Sequence, residues 1–181
     1  MKLSDQLFKP DRYTYQDYLL WKGDWELVNG YRYAMASSHN RTHQRFASKF
    51  IQKITNKLES TTPGYDCQAY GGLDWIIDEN SVVRPDCMIV CGNFSEDFLR
   101  FPPTLIVEIS SRKTKLRDRN TKYNLYELKG VNYYVIADTE KKSVEVFELL
   151  NGKYTSKHDT QFQLTPDCAI DIDIFRIWQL M

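Results

Sequence analysis

Two carboxylates stand at positions where folding alone rarely puts one. Glu108 lies near the end of the apolar run Thr104-Leu105-Ile106-Val107-Glu108-Ile109. Strand alternation places its side chain on the face of Thr104 and Ile106, which is otherwise buried or half-buried. A carboxylate there must be paired or must hold a metal. Asp86 repeats the pattern, following Pro85 at the entrance to Cys87-Met88-Ile89-Val90. Carboxylates on neighbouring strands can converge on a hard cation, and Mg²⁺ suits one or two carboxylates with water and phosphate completing its shell. The competing reading makes each acid a turn cap or the partner of a nearby base such as Arg84.

A charge anomaly follows. Between Arg112 and Lys122, six bases (Arg112, Lys113, Lys115, Arg117, Arg119 and Lys122) meet one acid, Asp118. They fall on a loop and the first turns of a helix, where the macrodipole is positive and cations are mildly unfavourable. Phosphate binding gives such a cluster a purpose, because helix-start N–H groups and Lys/Arg both attract phosphate. A solvated helix end is the bland alternative, at a cost of about some tenths of a kcal/mol. Within the helix, Lys115, Asp118, Lys122 and Tyr126 lie near one side. Lys122 borders the stripe of Leu116, Tyr123 and Tyr126 expected to face a sheet, so its ammonium could reach the strand of Glu108. It could instead form an i,i+4 pair with Asp118, worth about 0.3–0.5 kcal/mol. His39 and His43 share i,i+4 spacing but lack the glutamate of a zinc-protease motif; His43 reads better as a phosphate contact or a partner of the site.

These groups are positioned by elements of both kinds. Thr14 with Asp17 caps a short helix to about Trp21. Trp25–Val28, Asn29-Gly30 and Tyr31–Tyr33 read as a hairpin. Phe46, Phe50, Ile54 and Leu58 set the apolar face of a helix from Ser38 to Glu59. Strand-like runs cover Tyr65–Tyr70, Leu73–Ile77 and Val82–Val90, punctuated by Pro63-Gly64 and Gly71-Gly72. Thr104–Ile109, a helix over Lys115–Lys129 stopping at Gly130, and Val131–Ala137 form a crossover unit with parallel strands. Ser143–Leu150 and Lys153–Lys157 close a second hairpin at Asn151-Gly152. The fold class is mixed α/β around a largely buried sheet, in one domain spanning 1–181.

With 24 basic and 24 acidic residues the chain has no net charge, which excludes a whole-protein basic field but not a local patch. No stretch reaches the ~18–20 apolar residues of a membrane span, and the first residues lack a signal peptide's plan. Cys67, Cys87, Cys91 and Cys168 form no CxxC pair and read as buried free thiols; Cys87 and Cys91 sit too far apart along one strand to bridge easily. The expected location is cytoplasmic.

Arg84-Pro85-Asp86, Glu108-Ile109-Ser110-Ser111, Asp118 and Lys122 with Tyr126, and Gly130-Val131 occur in an order that resembles the Uma-type restriction endonuclease family, a branch of the PD-(D/E)XK nuclease-like superfamily. Glu26-Leu27-Val28-Asn29-Gly30 and His43-Gln44 fit the family's N-terminal motifs, and the likeness runs from about Tyr13 to Phe147. The resemblance implies a restriction-endonuclease-like core, a central mixed β-sheet flanked by helices, with the acids at one end. It implies an endonuclease hydrolysing phosphodiester bonds of DNA with Mg²⁺, or Mn²⁺ in its place. Glu26, Asp86 and Glu108 would bind the metal, and a lysine would act beside them. The usual lysine position, two residues after the acid, holds Ser110, and Lys122 on the following helix takes the matching place. Arg112, Lys113, Lys115, Arg117, Arg119 and His43 would contact DNA, and cutting both strands would suit a homodimer. The rival expectation is a nuclease fold kept as a binding module without turnover.

Overall fold

Asn29-Gly30 and Asn151-Gly152 each turn the chain with two consecutive residues at positive φ, between 51° and 80°, the conformation that tight hairpins require and that Asn and Gly tolerate. The computed structural model describes residues 12–35, 40–61 and 66–180. Ser38, His39, Pro63-Gly64 and Tyr65 fall outside the described residues.

The chain opens with α1 (Tyr15–Tyr18), whose Thr14 and Asp17 form a capping box. It continues through β1 (Trp25–Val28), β2 (Tyr31–Ala34), the long α2 (Arg41–Thr61), β3 (Cys67–Gly71), β4 (Trp75–Asp78), β5 (Ser81–Val83), β6 (Cys87–Cys91) and β7 (Leu105–Ser110). A π-helical stretch over Arg117–Lys122 runs into α3 (Tyr123–Leu128). Then come β8 (Tyr133–Asp138), β9 (Ser143–Leu150), β10 (Lys153–Lys157), β11 (Gln161–Thr165), β12 (Cys168–Asp171) and a 3₁₀ turn, Ile177–Leu180.

Six strands make the central sheet, in the order β10-β9-β8-β7-β6-β3. β7 and β8 are parallel, as a strand–helix–strand crossover requires, and the other neighbours are antiparallel. A smaller antiparallel sheet has the order β2-β1-β5-β4. α2 lays Phe46, Phe50, Ile54 and Leu58 on one face of the central sheet, over Cys87, Ile89, Leu105 and Val107. On the other face, Met88, Ile106, Tyr134 and Ile136 pack against Leu125 and Tyr126 of α3 and against Trp75 and Val83 of the small sheet. Burying each large side chain in these layers contributes about 1.5–3 kcal/mol. Glu108 belongs to the second face by alternation with Ile106, so it points at α3 from a strand whose residues are all buried.

Three expectations are corrected and one element is added. The run Val82–Val90 is two strands in different sheets, because Pro85, which has no N–H to give a ladder, carries the chain across between them. Leu116 is 78% exposed rather than facing the sheet; the π turn widens the helical period just after it, so Asp118 and Lys122 turn inward instead. The cysteines are not all free. β3 pairs with β6 so that Cys67 stands opposite Cys91 and the two form a disulfide, a partnership between strands that spacing along one strand could not show. Cys87 and Cys168 are the free, buried thiols. Finally, the β11–β12 hairpin, unread in the sequence, covers part of the α2 face with Phe162, Leu164 and Ile170.

Candidate active site

β6 and β7 run antiparallel with Cys87 opposite Val107 and Met88 opposite Ile106. One step further along the same register sets Asp86 opposite Glu108, at the end of the central sheet. Asp86 is fixed from both sides. The Ile109 N–H donates to its Oδ2 at 2.7 Å, and His43 Nε2, from the first turn of α2, lies 3.0 Å from its Oδ1. Arg84 does not pair with Asp86 as the alternative reading allowed; its guanidinium goes to Asp74 and Asp24.

Glu108 is buried and receives two donors on one oxygen. Lys122 Nζ and the Tyr126 hydroxyl each stand 2.8 Å from Oε1. The same ammonium lies 2.7 Å from Oε1 of Glu26. Glu26, wholly buried in β1, also accepts the Arg84 backbone N–H at 3.0 Å and faces the Arg117 guanidinium at 3.3 Å. Lys122 therefore ties the small sheet to the central sheet. The π turn lets it do so, because it brings Lys122, Leu125 and Tyr126 to the same buried side.

The charges in this cluster are unbalanced. Glu26, Glu108, Asp118 and Asp86 surround one buried ammonium, with Arg117 at the edge. Burial pushes the Glu108 carboxyl up to about 8; Lys122 opposes that shift, while Asp86, Asp118 and Glu26 add to it. Burial works to neutralise Lys122, but Glu108 and Glu26 outweigh it and hold the ammonium well above the ordinary lysine range. Burial likewise raises Asp118 against the pull of Lys122. Burial drives both carboxyls up, and the surrounding acids hold the ammonium charged.

Asp86, Glu108, Asp118, Lys122, His43 and Arg117 line one cleft, together with Ile109, Ser111 and Thr114. Glu26 does not line it. The donors that do are hard oxygens, the set that fits Mg²⁺ or Mn²⁺, and Asp118 adds a buried Oδ1 with no hydrogen-bond partner. Among the described residues no three His, Cys, Asp or Glu side chains form a ready-made cage.

Over residues 15–170 the chain matches the family model Uma2, described as "Putative restriction endonuclease". The chain belongs to the Uma2 family. It is also similar in structure to "a putative nuclease belonging to DUF820" from Anabaena variabilis, with a TM-score of 0.66 at 13% identity, covering 93% of this chain and 92% of that one. Comparison with curated proteins finds no match. The likeness shows that the two chains share a fold, which in this Uma2 chain is built on a central mixed sheet. No helix among the described residues is long and apolar enough to cross a membrane.

The basic residues after β7 are mostly engaged within the chain. Arg112 lies 3.3 Å from Glu140, Lys115 3.1 Å from Asp138, Arg117 faces Glu26, and Arg119 pairs with Glu145 on β9. Lys113 is exposed. Two residues close to Glu108, Asp118 in the cleft and Tyr126 buried behind it, are not among the site residues expected from the sequence. Asp118 is the lone acid in the basic run, and its place four positions before Lys122 within the family pattern was its signal. The Tyr126 hydroxyl could be matched to Glu108 only once the helix register was known.

Proposed function

We propose that this protein is a metal-dependent endonuclease that hydrolyses phosphodiester bonds of DNA at the Asp86–Glu108 cleft. The observation that carries the reading is the pairing of Asp86 and Glu108 across adjacent strands, with Lys122 against Glu108. Asp86 and Glu108 would hold a Mg²⁺ or Mn²⁺ ion, which supplies charge for the phosphoryl oxygens and a more acidic bound water. The chain's own groups do the rest. His43 and the Ile109 N–H fix the Asp86 carboxylate. Tyr126 orients Glu108. Lys122 offsets negative charge gathering at the cleft, since a fixed cation in a water-poor site acts strongly. Glu26, which does not line the cleft, is a positioning residue that holds Lys122.

A supercoiled plasmid incubated with the protein tests this. Nicking should require Mg²⁺ or Mn²⁺, stop with EDTA, and disappear in Asp86→Asn and Glu108→Gln. Nicking that survives EDTA or either substitution overturns the assignment.

A further inference from the structure

α2 carries Arg41, Arg45, Lys49, Lys53 and Lys57, a base at every fourth position, with Glu59 its one acid. Among the described residues none of the five forms an ion pair. Lys49 Nζ donates only to Gln52 Oε1 at 3.0 Å, and Lys53 Nζ to the Asp173 carbonyl at 2.6 Å. This is the reverse of the segment after β7, where all but Lys113 of its bases are held by carboxylates. A cation already paired must break that pair to take up a phosphate, so the unpaired row is the better phosphate surface.

Beside the row runs a groove. One wall is the polar edge of α2, with Gln44, Ser48 and Gln52; the other includes Gly71 and Gly72, where no side chain projects. Around Gly72 the space where a Cβ would stand is open. The groove shares Met35, His43, Arg84 and Asp86 with the acid cleft, so the two are continuous. Arg41, Arg45 and Lys49 each stand three positions before a groove residue, Gln44, Ser48 and Gln52, a spacing that makes them neighbours on the helix surface and sets these three bases along the groove's outer lip. Lys53 and Lys57 line a separate hollow beside Asp171 and Asp173. A step of four residues rises about 6 Å, close to two nucleotides of one strand at about 3.4 Å each.

We propose that this groove and its cationic lip carry the phosphate backbone of the nucleic-acid substrate away from the Asp86–Glu108 cleft. Uncharged Gln44, Ser48 and Gln52 offer hydrogen bonds to sugar and base edges, while Arg41, Arg45 and Lys49 meet phosphates. The inference rests on the nuclease reading above and adds the path of the strand.

The test is binding of a fluorescent duplex, in EDTA so that nothing is cut, across a salt series. Arg45→Gln with Lys49→Gln should lower the slope of log affinity against log salt by about two, near 0.9 for each phosphate that is no longer neutralised. Arg45→Lys with Lys49→Arg should keep the slope. Arg119→Gln should also leave it unchanged, since Glu145 already holds that guanidinium. Melting curves confirm that the variants fold. An unchanged slope in the Arg45/Lys49 variant, in a protein that still nicks plasmid, overturns the path and leaves the nuclease reading standing. A slope that falls with Arg119→Gln instead moves the interface to the β7–α3 segment and equally overturns it. A wild type that binds no duplex overturns it as well, and the nicking assay then decides the broader reading separately.

Discussion

Lys122 reaches across from the π turn to Glu108 on β7, its ammonium 2.8 Å from a carboxylate oxygen fourteen residues earlier in the chain. The pair is buried, and Glu26 closes on the same nitrogen from the small sheet. One side chain thus answers two carboxylates that belong to different sheets. Water cannot replace it there.

Lys122→Met should therefore cost stability as well as any cleavage. Breaking a buried charge pair by removing one partner costs about 3–5 kcal/mol, because the uncompensated charge stays behind. Glu26→Gln in the same chain should return part of that loss by removing a stranded charge. Denaturant melts of the single and double variants measure it, and a single variant as stable as wild type would remove Lys122 from its structural role.

The disulfide gives a second expectation. Cys67 and Cys91 close a loop with a sequence separation of 24 residues, for which chain entropy predicts about 3.5 kcal/mol of stabilisation. Cys67→Ser with Cys91→Ser should be less stable by about that amount and should no longer respond to reductant. Peptide mapping without reduction should recover the linked pair, and two free thiols at these positions would refute the pairing.

Much of the site's frame is legible in the residues. Asn-Gly marks both hairpin turns, and the apolar run ending at Glu108 marks a buried strand with a misplaced charge. Gly130 stops the helix between the parallel strands. What the sequence hid were relations that depend on register in space. A straight helix through Lys115–Lys129 puts Leu116 inward; the π turn puts it outward and brings Asp118 in. Cys67 and Cys91 are neighbours only because β3 pairs with β6. Glu26 meets Lys122 only because the small sheet stacks against the central one. The bases of α2 are plain at every fourth position, but their lack of carboxylate partners is a property of packing, as is the engagement of the denser cluster after β7.

Asp86→Asn separates a metal ligand from a structural acid. Asn keeps an oxygen for the Ile109 N–H, so in EDTA the variant should melt close to the wild type. Mg²⁺ at about a hundred times its dissociation constant should stabilise the wild type by about 2.7 kcal/mol and the variant far less. Were Asp86 there only to hold His43 and Ile109, Mg²⁺ would move neither melting temperature.

The last expectation concerns pH in metal-free protein. The Glu108 carboxyl rises from an ordinary 4.5 to about 8 in the fold, chiefly through burial. Between those values the folded chain keeps a proton that the unfolded chain has released. The contribution of this group to stability is therefore full below about pH 4.5 and is lost as pH climbs toward about 8. Lys122, held well above the ordinary lysine range, stays charged throughout that window. Glu108→Gln cannot titrate, so wild type and variant should differ most in their pH profiles across this interval. The wild type should lose stability relative to the variant as pH rises, when both are melted in EDTA. Parallel curves would mean that Glu108 is ionised in the folded protein at neutral pH, with Lys122 and Tyr126 outweighing the cost of its burial.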